Sequence, residues 1–90
     1  MLTHFLWDNR PGRNLDHIAV HGMTAELWEE VFSKATHHAP DKDDPDVTVA
    51  EGRVKKVLYR LFYIVIDAET VLPVSIYPIT GFPIKRRSLR

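Results

Sequence analysis

The sequence contains no cysteine. That excludes a disulfide framework, a thiolate nucleophile and a Cys-ligated zinc. Glycine is scarce, at four residues, and none lies in a phosphate-cradling glycine-rich loop. A G-x-S-x-G elbow is also missing, so nucleotide-dependent and acyl-transfer chemistry has no motif to rest on. The longest apolar run, Leu61 to Ile66, is far short of the roughly 20 residues that span a bilayer. The N-terminus has no basic segment followed by an apolar one, giving the expectation of no secretory leader, no membrane contact and a cytoplasmic location. No internal repeat or low-complexity segment is present. Net charge is missing too, with 12 Lys+Arg against 12 Asp+Glu.

What is there fits one small globular domain. At 90 residues the chain has room for a single thin core. Its 44% hydrophobic and 27% charged residues suit a folded rather than a disordered chain. The zero net charge averages two unlike halves. Residues 1–46 carry four bases and nine acids; residues 47–90 carry eight bases and three acids. Charges beyond about 8–10 Å are screened at physiological salt, so a partner feels the local surface. Neutrality therefore does not exclude an anionic partner.

Residues 3–7 suit a short first strand, followed by turn formers Asp8-Asn9 and Pro11-Gly12. Asn14 is placed to cap a first helix whose Leu15, Ile18 and Ala19 share one face. Gly22 sits where a C-terminal glycine belongs. Thr24 caps a second helix, with Glu26 in its first turn and an apolar stripe of Leu27, Trp28, Val31, Phe32 and Ala35. Residues 36–46 read as a polar, proline-broken loop. Residues 47–57, 58–67 and 71–80 read as consecutive antiparallel strands, with Pro73 and Pro78 suited to an edge or a bulge. This order predicts an α+β, two-layer fold: an N-terminal strand and two short helices packed on a three- to four-stranded antiparallel sheet. Residues 1–84 are expected to form the domain and residues 85–90 a basic tail.

Trp7-Asp8, the run Asn14 to Thr24 with its His21-Gly22 pair, and Trp28-Glu29-Glu30-Val31-Phe32 together resemble the N-terminal half of BrnT-type proteins. Gly52-Arg53, Tyr59-Arg60 and Ile76-Tyr77-Pro78-Ile79-Thr80 are similar to that family's strand segments. The resemblance covers roughly residues 5–82. It departs at the end, where Gly81-Phe82-Pro83 replaces an alanine-arginine pair and only Lys85 to Arg90 follow. The resemblance implies a RelE-like ribonuclease fold and a toxin of a two-component toxin–antitoxin system, acting on RNA without metal or cofactor. It also implies a small ribbon-helix-helix antitoxin partner that binds operator DNA.

Metal-free RNA cleavage needs a base for the 2′-hydroxyl, cations for the phosphorane and an acid for the leaving oxygen. The candidates for these roles are His17, His21, Arg60 and Tyr63. Arg60 and Tyr63 have opposite parity on one strand, so they face opposite sides of the sheet. The i, i+4 pair His17 and His21 shares a helix face and has three readings: acid/base work, a structural role, or a zinc site completed by His37, His38 or an Asp. Arg53, Lys55 and Lys56 form a basic cluster for phosphate contacts, Arg53 and Lys55 projecting together. Lys85, Arg86 and Arg87 extend the basic character into the tail, as does Arg90. Each basic group also suits an ordinary solvated surface. The alternative to a ribonuclease is a non-catalytic protein- or RNA-binding relative of the same fold. The apolar sheet face that two short helices leave uncovered suits such a partner.

Overall fold

A computed structural model describes residues 4–79. In chain order the elements are β1 (His4–Phe5), α1 (Asn14–Val20), α2 (Ala25–Lys34), β2 (Thr36–Pro40), β3 (Thr48–Val54), β4 (Val57–Asp67) and β5 (Thr70–Pro78). The strands form one sheet in the order β1-β5-β4-β3-β2. β1 runs parallel to β5, and every other pair is antiparallel. The fold is thus α+β as expected, but the sheet has five strands and is mixed.

The added strand is β2, where the sequence suggested only loop. All five of its residues are exposed, so it has no apolar alternation to read. It is held by its ladder to β3, which is irregular between Thr36 and Ala39, where His37 takes φ 59°. An exposed edge strand of this kind is stabilised by pairing rather than by burial.

Local chemistry explains the helices. The Thr24 hydroxyl accepts from the Leu27 N–H at 3.1 Å and so caps α2. At the end of α1, Gly22 takes φ 77°, its N–H donates to Ala19 and the Met23 N–H donates to Ile18. This Schellman arrangement needs a left-handed residue, which glycine supplies without a Cβ clash. Asn14 does not cap α1; Arg13 holds that position without a side-chain bond. The Asn14 amide instead donates to the carbonyls of Leu6 (2.8 Å) and Pro73 (2.9 Å) and accepts from the Asp8 N–H (2.8 Å). It ties the start of α1 to β5 and to the chain leaving β1.

Strand parity divides the sheet into two faces. Ala50, Gly52 and Val54 of β3, Leu61 and Tyr63 of β4, and Val71 and Ile76 of β5 are buried on the side covered by the helices. Trp28 and Val31 of α2 and Ile18 of α1 complete this core. The helix comes very close to β3 at Gly52: a Cβ there would lie 2.5 Å from the Val31 carbonyl oxygen. An extra residue in β5, Val74, forms a bulge opposite Phe62 and Tyr63, next to Pro73, and the ring of Pro73 is buried beside it.

The β3–β4 connection corrects one expectation. Lys55 and Lys56 lie outside both strands, as a two-residue turn with φ 51° and 74°. Lys55 therefore does not project along β3 with Arg53. Two central residues in the left-handed region match the right-handed strand twist, as in a type I′ hairpin.

Candidate functional site

The face away from the helices carries Val49, Glu51 and Arg53 of β3, Leu58, Arg60, Phe62 and Ile64 of β4, and Leu72 and Tyr77 of β5. Pairing brings three of these into one row: Glu51 lies opposite Arg60, and Arg60 opposite Tyr77. Residues paired across antiparallel strands point to the same side, so the row is a direct product of register.

Arg60 joins the row chemically. Its Nε and Nη2 donate to Glu51 Oε2 at 3.0 and 2.7 Å, and its Nη1 donates to the Tyr77 hydroxyl at 3.1 Å. The guanidinium carbon also lies 6.0 Å from the Tyr77 ring centre. The hydrogen bond to Glu51, then that to Tyr77, raises the Arg60 pKa above its ordinary value, fixing the positive charge. The ring of Phe62, on the same face but outside that row, lies 5.8 Å from the Tyr77 ring and is tilted by 32° to it. These side chains floor a cleft of about 620 Å³ whose far wall is Pro40 with Asp41, Lys42 and Asp43 of the β2–β3 loop. That loop is folded on itself: Asp41 Oδ2 accepts from the N–H groups of Asp43 and Asp44, and the Asp41 N–H donates to Val47.

The other residues singled out from sequence lie elsewhere. Tyr63 is 3% exposed beneath α2, on the face opposite Arg60. Its hydroxyl is 2.7 Å from His38 Nδ1, and its ring packs edge-on against Trp28 and Phe32. Burial pushes its pKa up. His17 and His21 are exposed on α1, in the helix layer, with ring centres 5.6 Å apart. Among the described residues no group of three or more His, Cys, Asp or Glu is placed to hold a metal, so the His17–His21 pair lacks a third ligand. The sheet therefore separates Arg60 from the other three proton-transfer candidates. Arg53 is exposed and its Nη1 donates to the Lys56 carbonyl at 3.4 Å, which leaves it and the Lys55-Lys56 turn at one end of the sheet. Lys85, Arg86, Arg87 and Arg90 lie outside the described residues. Among those described, no helix is long and apolar enough to cross a membrane.

A smaller cleft, about 350 Å³, lies between α1 and β5 and is lined by Asp8, Arg13, His17 and Pro73. Asp8 is held there by Arg10 at 2.6 Å and more loosely by Arg13 at 3.8 Å. The Arg10 bonds keep its carboxyl well below the usual carboxylate range.

Sequence reasoning found Arg60 but missed Glu51 and Tyr77. The signal for Glu51 was present. A two-residue turn at Lys55-Lys56 places Glu51 opposite Arg60, each four residues from the turn. The position of Tyr77 depends on a bulged strand and could not be counted off in this way. Comparison with family models, with curated proteins and with solved structures finds no match to this chain.

Proposed function

We propose that this protein is a metal-independent ribonuclease of the RelE-like, BrnT-type toxin class, with the cleft on the open sheet face as its active site. The observation that carries this reading is the Glu51–Arg60–Tyr77 row. It gathers a carboxylate, a fixed cation and a phenol on one surface beside the half-buried ring of Phe62. Those groups match the three needs of RNA cleavage by an internal hydroxyl.

In this reading Arg60 binds the scissile phosphate and holds the charge of the phosphorane. Both bonds from Arg60 to Glu51 land on Oε2, and Oε1 accepts the proton of the 2′-hydroxyl. The 2′-oxygen attacks phosphorus, the bond to the 5′-oxygen breaks, and the Tyr77 hydroxyl gives that oxygen its proton. The products are a 2′,3′-cyclic phosphate and a 5′-hydroxyl. Phe62 offers a stacking surface for an unpaired base. Glu51 and Tyr77 thus take the proton-transfer roles for which sequence offered His17, His21 and Tyr63. The resemblance to BrnT-type proteins adds the expectation of a ribbon-helix-helix antitoxin that neutralises the chain.

The test is incubation of the purified protein with single-stranded and ribosome-bound RNA. Arg60→Ala is expected to lower the cleavage rate by about 100-fold, the usual cost of losing one transition-state charge contact. Glu51→Gln should lower it similarly, whereas His17→Ala and His21→Ala should leave it unchanged. Growth arrest on expression without an antitoxin is the cellular counterpart. Cleavage retained by both Arg60→Ala and Glu51→Gln would remove the site. The second reading, an RNA-binding domain without chemistry, is favoured by the closed two-bond contact of Arg60 on Glu51. It predicts RNA bound but uncut, with binding lost in Arg60→Ala.

A further inference from the structure

We propose that the open sheet face is a self-association surface, covered by the same face of a second copy of this chain in a reversible, antiparallel dimer. The docking goes beyond the ribonuclease reading and does not depend on it.

The face is apolar and carries no helix. Val49, Phe62, Ile64 and Leu72 lie on it half-buried, with Ile64 paired to Leu72. Ile18 of α1 and Trp28 and Val31 of α2 pack on the other side of the sheet. A sheet with one apolar face uncovered gains by stacking on a second sheet about 10 Å away.

The two ends of this face carry opposite charge. The β2–β3 loop, residues 41–46, holds four aspartates and one lysine. Asp67 and Glu69, where β4 turns into β5, lie at the same end of the sheet. The other end carries Arg53, Lys55 and Lys56. The seven residues of β3 hold the ends about 20 Å apart. That exceeds the screening distance of about 8–10 Å, so each end acts as its own patch. The chain's zero net charge supplies no general repulsion between copies.

This polarity selects the occupant and its orientation. Two copies can stack about a two-fold axis along the strands or across them. An axis along the strands lays acids on acids and bases on bases. An axis across them reverses strand direction, so β3 lies over β3 and each loop meets the partner's turn. The spacing agrees. Lys55 is four residues beyond Glu51, and Asp46 is five residues before it. An axis beside the Glu51–Arg60 pair therefore brings both ends into contact at once. Arg60 is already bonded to Glu51, so the axis covers no bare cation. The five strands measure about 19 Å across, so two copies bury about 800 Å² before the loop and turn add their share. That is the scale of a transient complex.

Sedimentation of the full chain at rising concentration is the test. It should show a monomer–dimer equilibrium that weakens with added salt. Lys55→Glu with Lys56→Glu should weaken association by about tenfold or more, and so should Asp43→Lys with Asp46→Lys. Asp41 and Asp44 are left alone because their carboxylates accept N–H groups of their own loop. Both variants should keep the parent's circular dichroism. Mixed in equal amounts they should associate again, because every contact then joins opposite charges. Adding Phe62→Glu to both should abolish that association, which separates stacked faces from ends that merely touch. A parent monomeric up to about 1 mM would overturn the proposal. So would a dimer indifferent to the charge reversals, folded variants that do not associate when mixed, or a mixture that tolerates Phe62→Glu. The dimer covers the Glu51–Arg60–Tyr77 row, so a single-stranded RNA oligonucleotide bound there should return the parent to monomer. A charge-dependent dimer that RNA leaves intact would keep the docking and count against the ribonuclease reading.

Discussion

The two faces of the sheet share the same strands, yet they hold their residues by different means. On the helix side Trp28, Val31, Ala50, Leu61 and Ile76 are fully buried and interlock. Position there is set by volume, and Gly52 shows how tightly, because α2 leaves no space for a Cβ. On the open side Arg60 and Glu51 keep 38% and 33% of their side-chain surface in water, and their geometry is set by hydrogen bonds. A stability change should therefore follow the helix side and a chemical change the open side. That separation leaves the row of Glu51, Arg60 and Tyr77 free to vary without unfolding the domain.

The sharpest way to break this contrast is Trp28→Ala. Trp28 is completely buried, and its indole N–H donates to the Ser75 carbonyl at 3.1 Å. Its loss should cost about 3–5 kcal/mol in denaturant unfolding, most of a small domain's stability. Gly52→Ala comes next, at about 1–3 kcal/mol, because the new methyl meets backbone rather than a yielding side chain. A smaller effect of opposite sign is expected at the turn. Replacing Lys55-Lys56 by Asn-Gly relieves two left-handed non-glycine residues and should raise stability by about 1 kcal/mol. Arg60→Ala should shift unfolding by less than about 1 kcal/mol, since the pair it breaks is partly exposed. A large loss of stability in that variant would collapse the distinction between the faces.

The smallest effect is expected beside α1, at Asp8. Its carboxyl is held below its ordinary value near 3.8 by the hydrogen bonds from Arg10. A lowered carboxyl contributes stability above its unfolded pKa and loses it as pH falls toward the folded one. Asp8→Asn should thus be slightly less stable than the parent at neutral pH. The gap should close as the medium is taken below about pH 4, as followed by thermal melts across that range.

Much of the fold was legible because local chemistry and burial agreed. Thr24 and Gly22 marked helix ends through bonds made within a few residues. The apolar stripe of α2 reported a single covered face, whereas the apolar run in β4 left open which side the helices cover. Parity alone placed Arg60 and Tyr63 on opposite sides. β2 was illegible because an exposed edge strand carries no apolar pattern, and Asn14 was misread because its partners, Leu6 and Pro73, belong to distant elements. The candidate site was half legible. Arg60 stood out as a cation in an apolar strand, while Glu51 looked like a surface acid until the turn fixed its register.

By itself, then, the sequence determined what depends on near neighbours: the two helices, their ends, the strand faces and the split of acidic and basic halves. Only the tertiary structure decided which distant residues meet. Pairing of β3, β4 and β5 joined Glu51, Arg60 and Tyr77. The intervening sheet kept His17, His21 and Tyr63 away from them. The physical reason is that composition and periodicity encode which way a side chain points. Contact between residues far apart in the chain is set by strand order and by bulges, which are resolved only when the whole sheet closes on its core.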